Sequence, residues 1–168
     1  FPTESGKIEI FSEKVYRTEF KEFMPAIPRY VPPVEGPQDP FSEKYPLQLT
    51  GWHTKRRCHS IHDNNLAMHK VDPQVLWMHP DDAAARGLKE GDTAEIFNDR
   101  GRIRMPVHIT ERIMKGVTAI SQGAWYQPDA DGTDTAGCIN VLTSLHPTPY
   151  ARGNAQHTNL VEVTRYGA

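Results

Sequence analysis

The densest set of chemically capable side chains lies between residues 50 and 65. Thr50, Gly51, Trp52, His53, Lys55, Arg56, Arg57, His59, Ser60, His62, Asn64 and Asn65 all fall in that window. Hydroxyls, imidazoles, amides and cations on one loop supply the donors and positive charge that a phosphate or a heteroatom-rich ring edge needs. Gly51 has no Cβ and so permits a close backbone approach to such a group. The same composition also describes a solvated loop that binds nothing, and taken alone it leaves both readings open.

Two further clusters have matching chemistry. Gly123-Ala124-Trp125-Tyr126 offers aromatic faces with polar tips, suited to stacking on a flat ring or to core packing. Asn140, Gln156, His157 and Asn159 are amide and imidazole groups that donate and accept, suited to a heterocycle edge or to a local turn.

Metal and nucleophile chemistry find no pattern. His53, His59, His62 and His69 are spaced by 6, 3 and 7 residues, with no H-E-x-x-H helix to bring two of them to one face. Cys58 and Cys138 are 80 positions apart, so they form neither a C-x-x-C pair nor a disulfide framework. Asp129, Asp131 and Asp134 lack the closing Glu of a calcium loop. No catalytic residue and no metal ligand is assigned. A small histidine-site hydrolase lacks both its nucleophile motif and its ligand spacing.

The elements that must position these groups are short. Lys7 to Phe11 alternates polar and apolar, which predicts a strand. Seven prolines from Pro25 to Pro46 then predict an extended connector, and the compact domain is expected to start near Tyr45. Strands are predicted over 47–50, 75–78, 93–97, 102–109, 117–121 and 160–163. Pro80-Asp81-Asp82-Ala83-Ala84-Ala85 predicts one short helix, with Gly87 as its left-handed terminator and Leu88 as the apolar contact. Asn98-Asp99-Arg100-Gly101 predicts a hairpin turn. Pro106 predicts an edge or a locally unpaired point in its strand.

Composition supports this reading. The chain has 168 residues, 14 prolines, 12 glycines and a formal net charge of −2. That size suits one core, and the proline and glycine content argues for short strands and long loops. The charge gives no general attraction to nucleic acid or an anionic membrane, and no apolar run reaches the roughly 20 residues of a membrane helix. Phe1-Pro2-Thr3-Glu4 is no signal peptide, and the missing initiator Met fits a piece of a longer chain or a processed terminus. Mainly β architecture follows: an irregular barrel with one or two short helices and an extended Pro-rich arm. Residues 1–44 are expected to be the arm and residues 45–168 the barrel domain.

The order of these segments resembles one known family. The block Trp77-Met78-His79-Pro80-Asp81-Asp82 through Lys89-Glu90-Gly91-Asp92, with the hairpin at 98–101, resembles the middle of a molybdopterin dinucleotide-binding domain. Gly123-Ala124-Trp125-Tyr126-Gln127-Pro128-Asp129, Gly137-Cys138-Ile139-Asn140 and Gly153-Asn154 through Val163 continue it. Thr50-Gly51-Trp52-His53 and Arg57-Cys58-His59-Ser60 resemble the first cofactor loop of the dimethyl sulfoxide reductase family of molybdenum oxidoreductases.

The resemblance implies a double-psi β-barrel at the C-terminal end of a larger catalytic chain. It implies that the domain holds part of bis(molybdopterin guanine dinucleotide), with molybdenum ligated from another domain. By that resemblance the contacts would be Thr50, Gly51, Trp52, His53, His59, Ser60, Trp125, Tyr126, Asn140, Gln156 and Asn159. The parent would be an anaerobic respiratory reductase of a sulfoxide, an N-oxide or a similar acceptor. Its partners would be the preceding catalytic domains, an iron–sulfur electron-transfer subunit and a membrane anchor. Its location would be extracytoplasmic or membrane-associated in a prokaryote. The isolated domain is expected to be inactive and to hold no cofactor. The competing reading is a stand-alone double-psi barrel that binds peptides or proteins; it would share the 80–109 block without needing the flanking polar loops.

Overall fold

The computed structural model describes residues 1–55, 57–154 and 157–167. Six strands form a closed barrel: β1 (Leu47–Trp52), β2 (Leu76–Met78), β3 (Thr93–Asn98), β4 (Gly101–Ile109), β5 (Val117–Ser121) and β6 (Asn159–Arg165). Their order around the barrel is β1-β5-β2-β4-β3-β6. Pairs β1–β5 and β2–β4 are parallel, and the remaining neighbours are antiparallel. The expected mainly β barrel is therefore borne out.

Alternation drives the closure. In β4, Ile103, Met105 and Val107 are buried while Arg102 and Pro106 are exposed. Leu49, Leu76, Met78, Ile96, Ile120, Val161 and Val163 fill the same interior, each worth roughly 1.5–3 kcal/mol when fully buried. β4 is not an edge, since a closed barrel has none. Pro106 lies opposite Thr93 of β3 on one side, and on the other side it precedes the β2 pairing, which starts at Val107; a proline is tolerated where its side of the ladder is locally unpaired.

Among the described residues, three short α-helices and two 3₁₀ turns accompany the barrel. Helix α1 (Glu13–Tyr16) lies in the arm. Helix α2 (Leu66–Val71) occupies a stretch expected to be loop, capped by Asn65, whose side chain accepts the Ala67 N–H. Helix α3 (Pro80–Ala85) ends as predicted. Gly87 has φ +64, its N–H bonds the Ala84 carbonyl, and the Leu88 N–H bonds the Ala83 carbonyl with Leu88 buried.

The predicted strand at 7–11 does not form. Ile8 and Ile10 are exposed, and a closed barrel offers no edge for them to pair with. The arm is tied down further along. Glu35 is buried, pairs bidentately with Arg100 at 2.8 and 2.7 Å, and accepts the Leu160 N–H at 3.1 Å. No helix among the described residues is long and apolar enough to cross a membrane.

Candidate functional site

Parallel pairing of β1 and β5 brings distant segments together. The register sets Trp52 opposite Ser121, so the loops after both strands leave from one end of the barrel. Strand β6 runs antiparallel to β1, with Asn159 opposite Leu49, so the chain entering β6 comes from that end too. The 3₁₀ turn Ile139–Val141 closes the group. It packs where Gly101 begins β4, so tightly that a Cβ there would lie 2.5 Å from the Val141 side chain.

Between these segments lies a cavity of about 190 Å³. His59 and Ser60 form one wall, Gln122, Gly123 and Ala124 a second, and Cys138, Ile139 and Asn140 a third. The walls interlock. Gly123 has φ +100, and a Cβ on it would sit 1.8 Å from the His59 carbonyl oxygen. The Trp125 indole N–H donates to the Ser60 carbonyl at 2.9 Å. His59 and His62 adopt φ of +51 and +72, so the first wall is a strained turn. Burial pushes the Cys138 thiol above its ordinary pKa.

The other described candidates do not line this cavity. Thr50 and Gly51 are half-buried in β1. The close approach at Gly51 comes from the protein itself, since a Cβ there would meet Gln122 Nε2 at 2.8 Å. Trp52 packs edge-on against Trp77 at 4.1 Å, and its Nε1 is the one buried side-chain polar atom without a partner among the described residues. His53 lies edge-on to His59 at 4.7 Å. Trp125 and Tyr126 are exposed at the rim. Asn159 is fully buried, with its Oδ1 accepting the Ser144 N–H at 3.2 Å. Gln156 lies outside the described residues. Its neighbour His157 reaches the site, with Nε2 at 3.4 Å from Gln122 Nε2.

Four further groups hold this arrangement: Gln122, Asp63 and Gln74, which the sequence did not single out, and Asp134, which it weighed only as part of a calcium loop. Asp63 is buried and accepts the Trp125 backbone N–H at 2.7 Å. Asp134, also buried, accepts the N–H groups of Gln127, Gly137 and Cys138 at 2.7–2.8 Å. Asp63 and Gln74 bond segments more than 40 residues away, which nothing local marks, whereas Asp134 organises its own loop. No cluster of three or more metal-ligating side chains occurs among the described residues. A larger cleft of about 490 Å³ lies between the arm and the loops before β6, lined by Phe20, Phe23, Val31 and four prolines with Glu35, Ser144, His146, Thr148, Arg152 and Thr158.

One end of the barrel thus gathers hydroxyl, imidazole and amide groups around a single cavity. A family model described as the Molydopterin dinucleotide binding domain matches residues 47–160. The chain is 47% identical to dimethyl sulfoxide reductase DmsA of Haemophilus influenzae and 44% to that of Escherichia coli. Each match covers 97% of this chain and 21% of the relative. It is 37% identical to the dimethyl sulfoxide/trimethylamine N-oxide reductase of Rhodobacter capsulatus, over 98% of this chain and 21% of that one. Acetylene hydratase from Pelobacter acetylenicus shares the fold, with a TM-score of 0.72 at 17% identity over 97% of this chain and 24% of that one. The chain belongs to the molybdopterin dinucleotide-binding domain family, in the form carried by the dimethyl sulfoxide reductase family. It spans about a fifth of the length of the curated relatives it matches.

The residues present fit that group. His59, Ser60, Gln122 and Asn140 provide donors and acceptors on three sides of one cavity. The cavity is smaller than the roughly 300–1,000 Å³ of a complete ligand site, which suits one portion of a dinucleotide.

Proposed function

We propose that the barrel end bounded by residues 59–60, 122–124 and 138–140 holds one portion of molybdopterin guanine dinucleotide in a molybdenum-dependent oxidoreductase. The full-length protein reduces a sulfoxide, an amine N-oxide or a similar small acceptor. The observation that supports this most is the convergence of three sequence-distant polar segments on one cavity, within a chain 44–47% identical to dimethyl sulfoxide reductases.

When bound, the cofactor supplies the redox and oxygen-transfer chemistry. This chain's residues bind and orient it. The Ser60 hydroxyl and His59 imidazole donate to phosphate or ring oxygens, and the Gln122 and Asn140 amides meet a heterocycle edge. Each such bond contributes about 0.5–1.5 kcal/mol. The rest of the longer chain completes the cleft. The arm supports that arrangement, because Ile8, Ile10, Phe23, Ile27 and Tyr30 expose more than half of their surface and suit burial against a further domain.

Hydrogen exchange of the full-length protein, with and without cofactor, tests the reading. Residues 58–60, 122–124 and 138–140 are expected to gain protection on loading. Protection confined to other faces of the barrel would contradict it.

A further inference from the structure

We infer that Arg57 and Asp63 are positioning residues that hold the three walls of the cavity in register for the dinucleotide. The inference rests on the reading of the cavity given above.

The Arg57 guanidinium is almost wholly buried, with 6% of its side chain exposed, and Asp63 keeps 3%. Arg57 Nη1 bonds Asp63 Oδ1. Its Nη2 donates to Gln74 Oε1 at 2.6 Å, to Ser121 Oγ at 3.1 Å and to the Gln122 carbonyl at 3.4 Å. Asp63 then uses its second oxygen for the Trp125 N–H. Gln74 passes the connection on, donating to the Ser121 carbonyl at 2.7 Å and the Gly137 carbonyl at 3.1 Å. One guanidinium and one amide therefore reach the strained first wall, the loop after β5 and the entry to the 138–140 turn.

Arg57 and Asp63 lie between β1 and α2, outside the strands that close the barrel, and their partners Gln74, Gln122 and Trp125 also lie on connecting loops. Burying two charges outside the core is costly, and the Coulombic gain often only offsets it. A fork with several fixed donors does suit the registration of three loops, which a lysine point charge could not bond together. The loops it registers are those that carry His59, Ser60, Gln122 and Asn140.

The test uses the double variant Arg57→Met/Asp63→Asn, which removes both charges and leaves neither stranded. Site-resolved amide exchange is measured on the 168-residue chain, and acid-released guanine nucleotide per protein on the full-length holoenzyme. Exchange at residues 58–63 and 122–126 is expected to speed up about tenfold or more, with β3 and β4 unchanged. Nucleotide content is expected to fall by about half or more, the reach of a few lost ligand hydrogen bonds. Unchanged loop exchange, or an equal rise in β3 and β4, would overturn the inference. So would full nucleotide content in the loosened variant. Full content in His59→Ala/Asn140→Ala as well would place the failure in the reading of the cavity.

Discussion

The Gly123 backbone lies against the His59 carbonyl so closely that a Cβ would come within 1.8 Å of its oxygen, at a φ of +100. Two loops that carry cavity groups are thus locked by a residue with no side chain. Gly123→Ala must separate them. The expected cost is about 1–3 kcal/mol from overpacking, with additional strain from the positive φ. Urea unfolding of the 168-residue chain checks it. A midpoint within error of the parent would show that the loops separate freely.

Glu35 fastens the arm. Glu35→Ala strands the buried Leu160 N–H and frees Arg100 from its bidentate partner. A loss of about 1–3 kcal/mol is expected for the unsatisfied N–H alone. Limited proteolysis should then cut residues 12–34 faster, while the barrel stays intact. Unchanged cleavage would show that the arm is held by other contacts.

Acid should weaken the turn around Glu90. Its carboxylate accepts the Ile109 N–H at 2.6 Å and faces His108 Nδ1 at 3.0 Å. The backbone hydrogen bond first, and His108 second, hold its pKa below the ordinary value. A depressed folded-state pKa means the stabilisation is complete above the unfolded value and is lost as pH falls through the folded one. Glu90→Gln should therefore flatten the decline in stability from roughly pH 5 downward. Identical acid limbs for parent and variant would contradict this.

The 168-residue chain should reduce no sulfoxide or N-oxide and should purify without stoichiometric metal. The described residues contain no cluster of three metal-ligating side chains, and the sequence shows no nucleophile motif. Elemental analysis that found one zinc per chain would revive a histidine site.

Much of the fold was legible because local signals and tertiary structure agree. Alternation marks β4, and the Pro80 start with the Gly87-Leu88 stop marks α3. The strand predicted at 7–11 fails because alternation signals a strand only where a partner edge exists. Helix α2 is not legible, although Asn65 and Ala67 carry a cap-and-helix pattern, because its polar, His-rich surroundings also suit a loop. Within the site, His59, Ser60 and Asn140 were legible as polar groups on loops. Their supports were not. Arg57 bonds residues 6, 17 and 64 positions away, and only the parallel register of β1 with β5 brings Ser121 into reach.

The most direct test is the cofactor content of a full-length protein carrying His59→Ala/Asn140→Ala, set against the thermal stability of the 168-residue chain with the same changes. Both side chains line the cavity and are exposed, so their removal should shift stability by no more than about 0.5 kcal/mol. Guanine nucleotide and molybdenum per chain should fall together, by about tenfold if two ligand hydrogen bonds of roughly 0.7 kcal/mol each are lost. Full nucleotide and molybdenum content in the double variant would contradict the account.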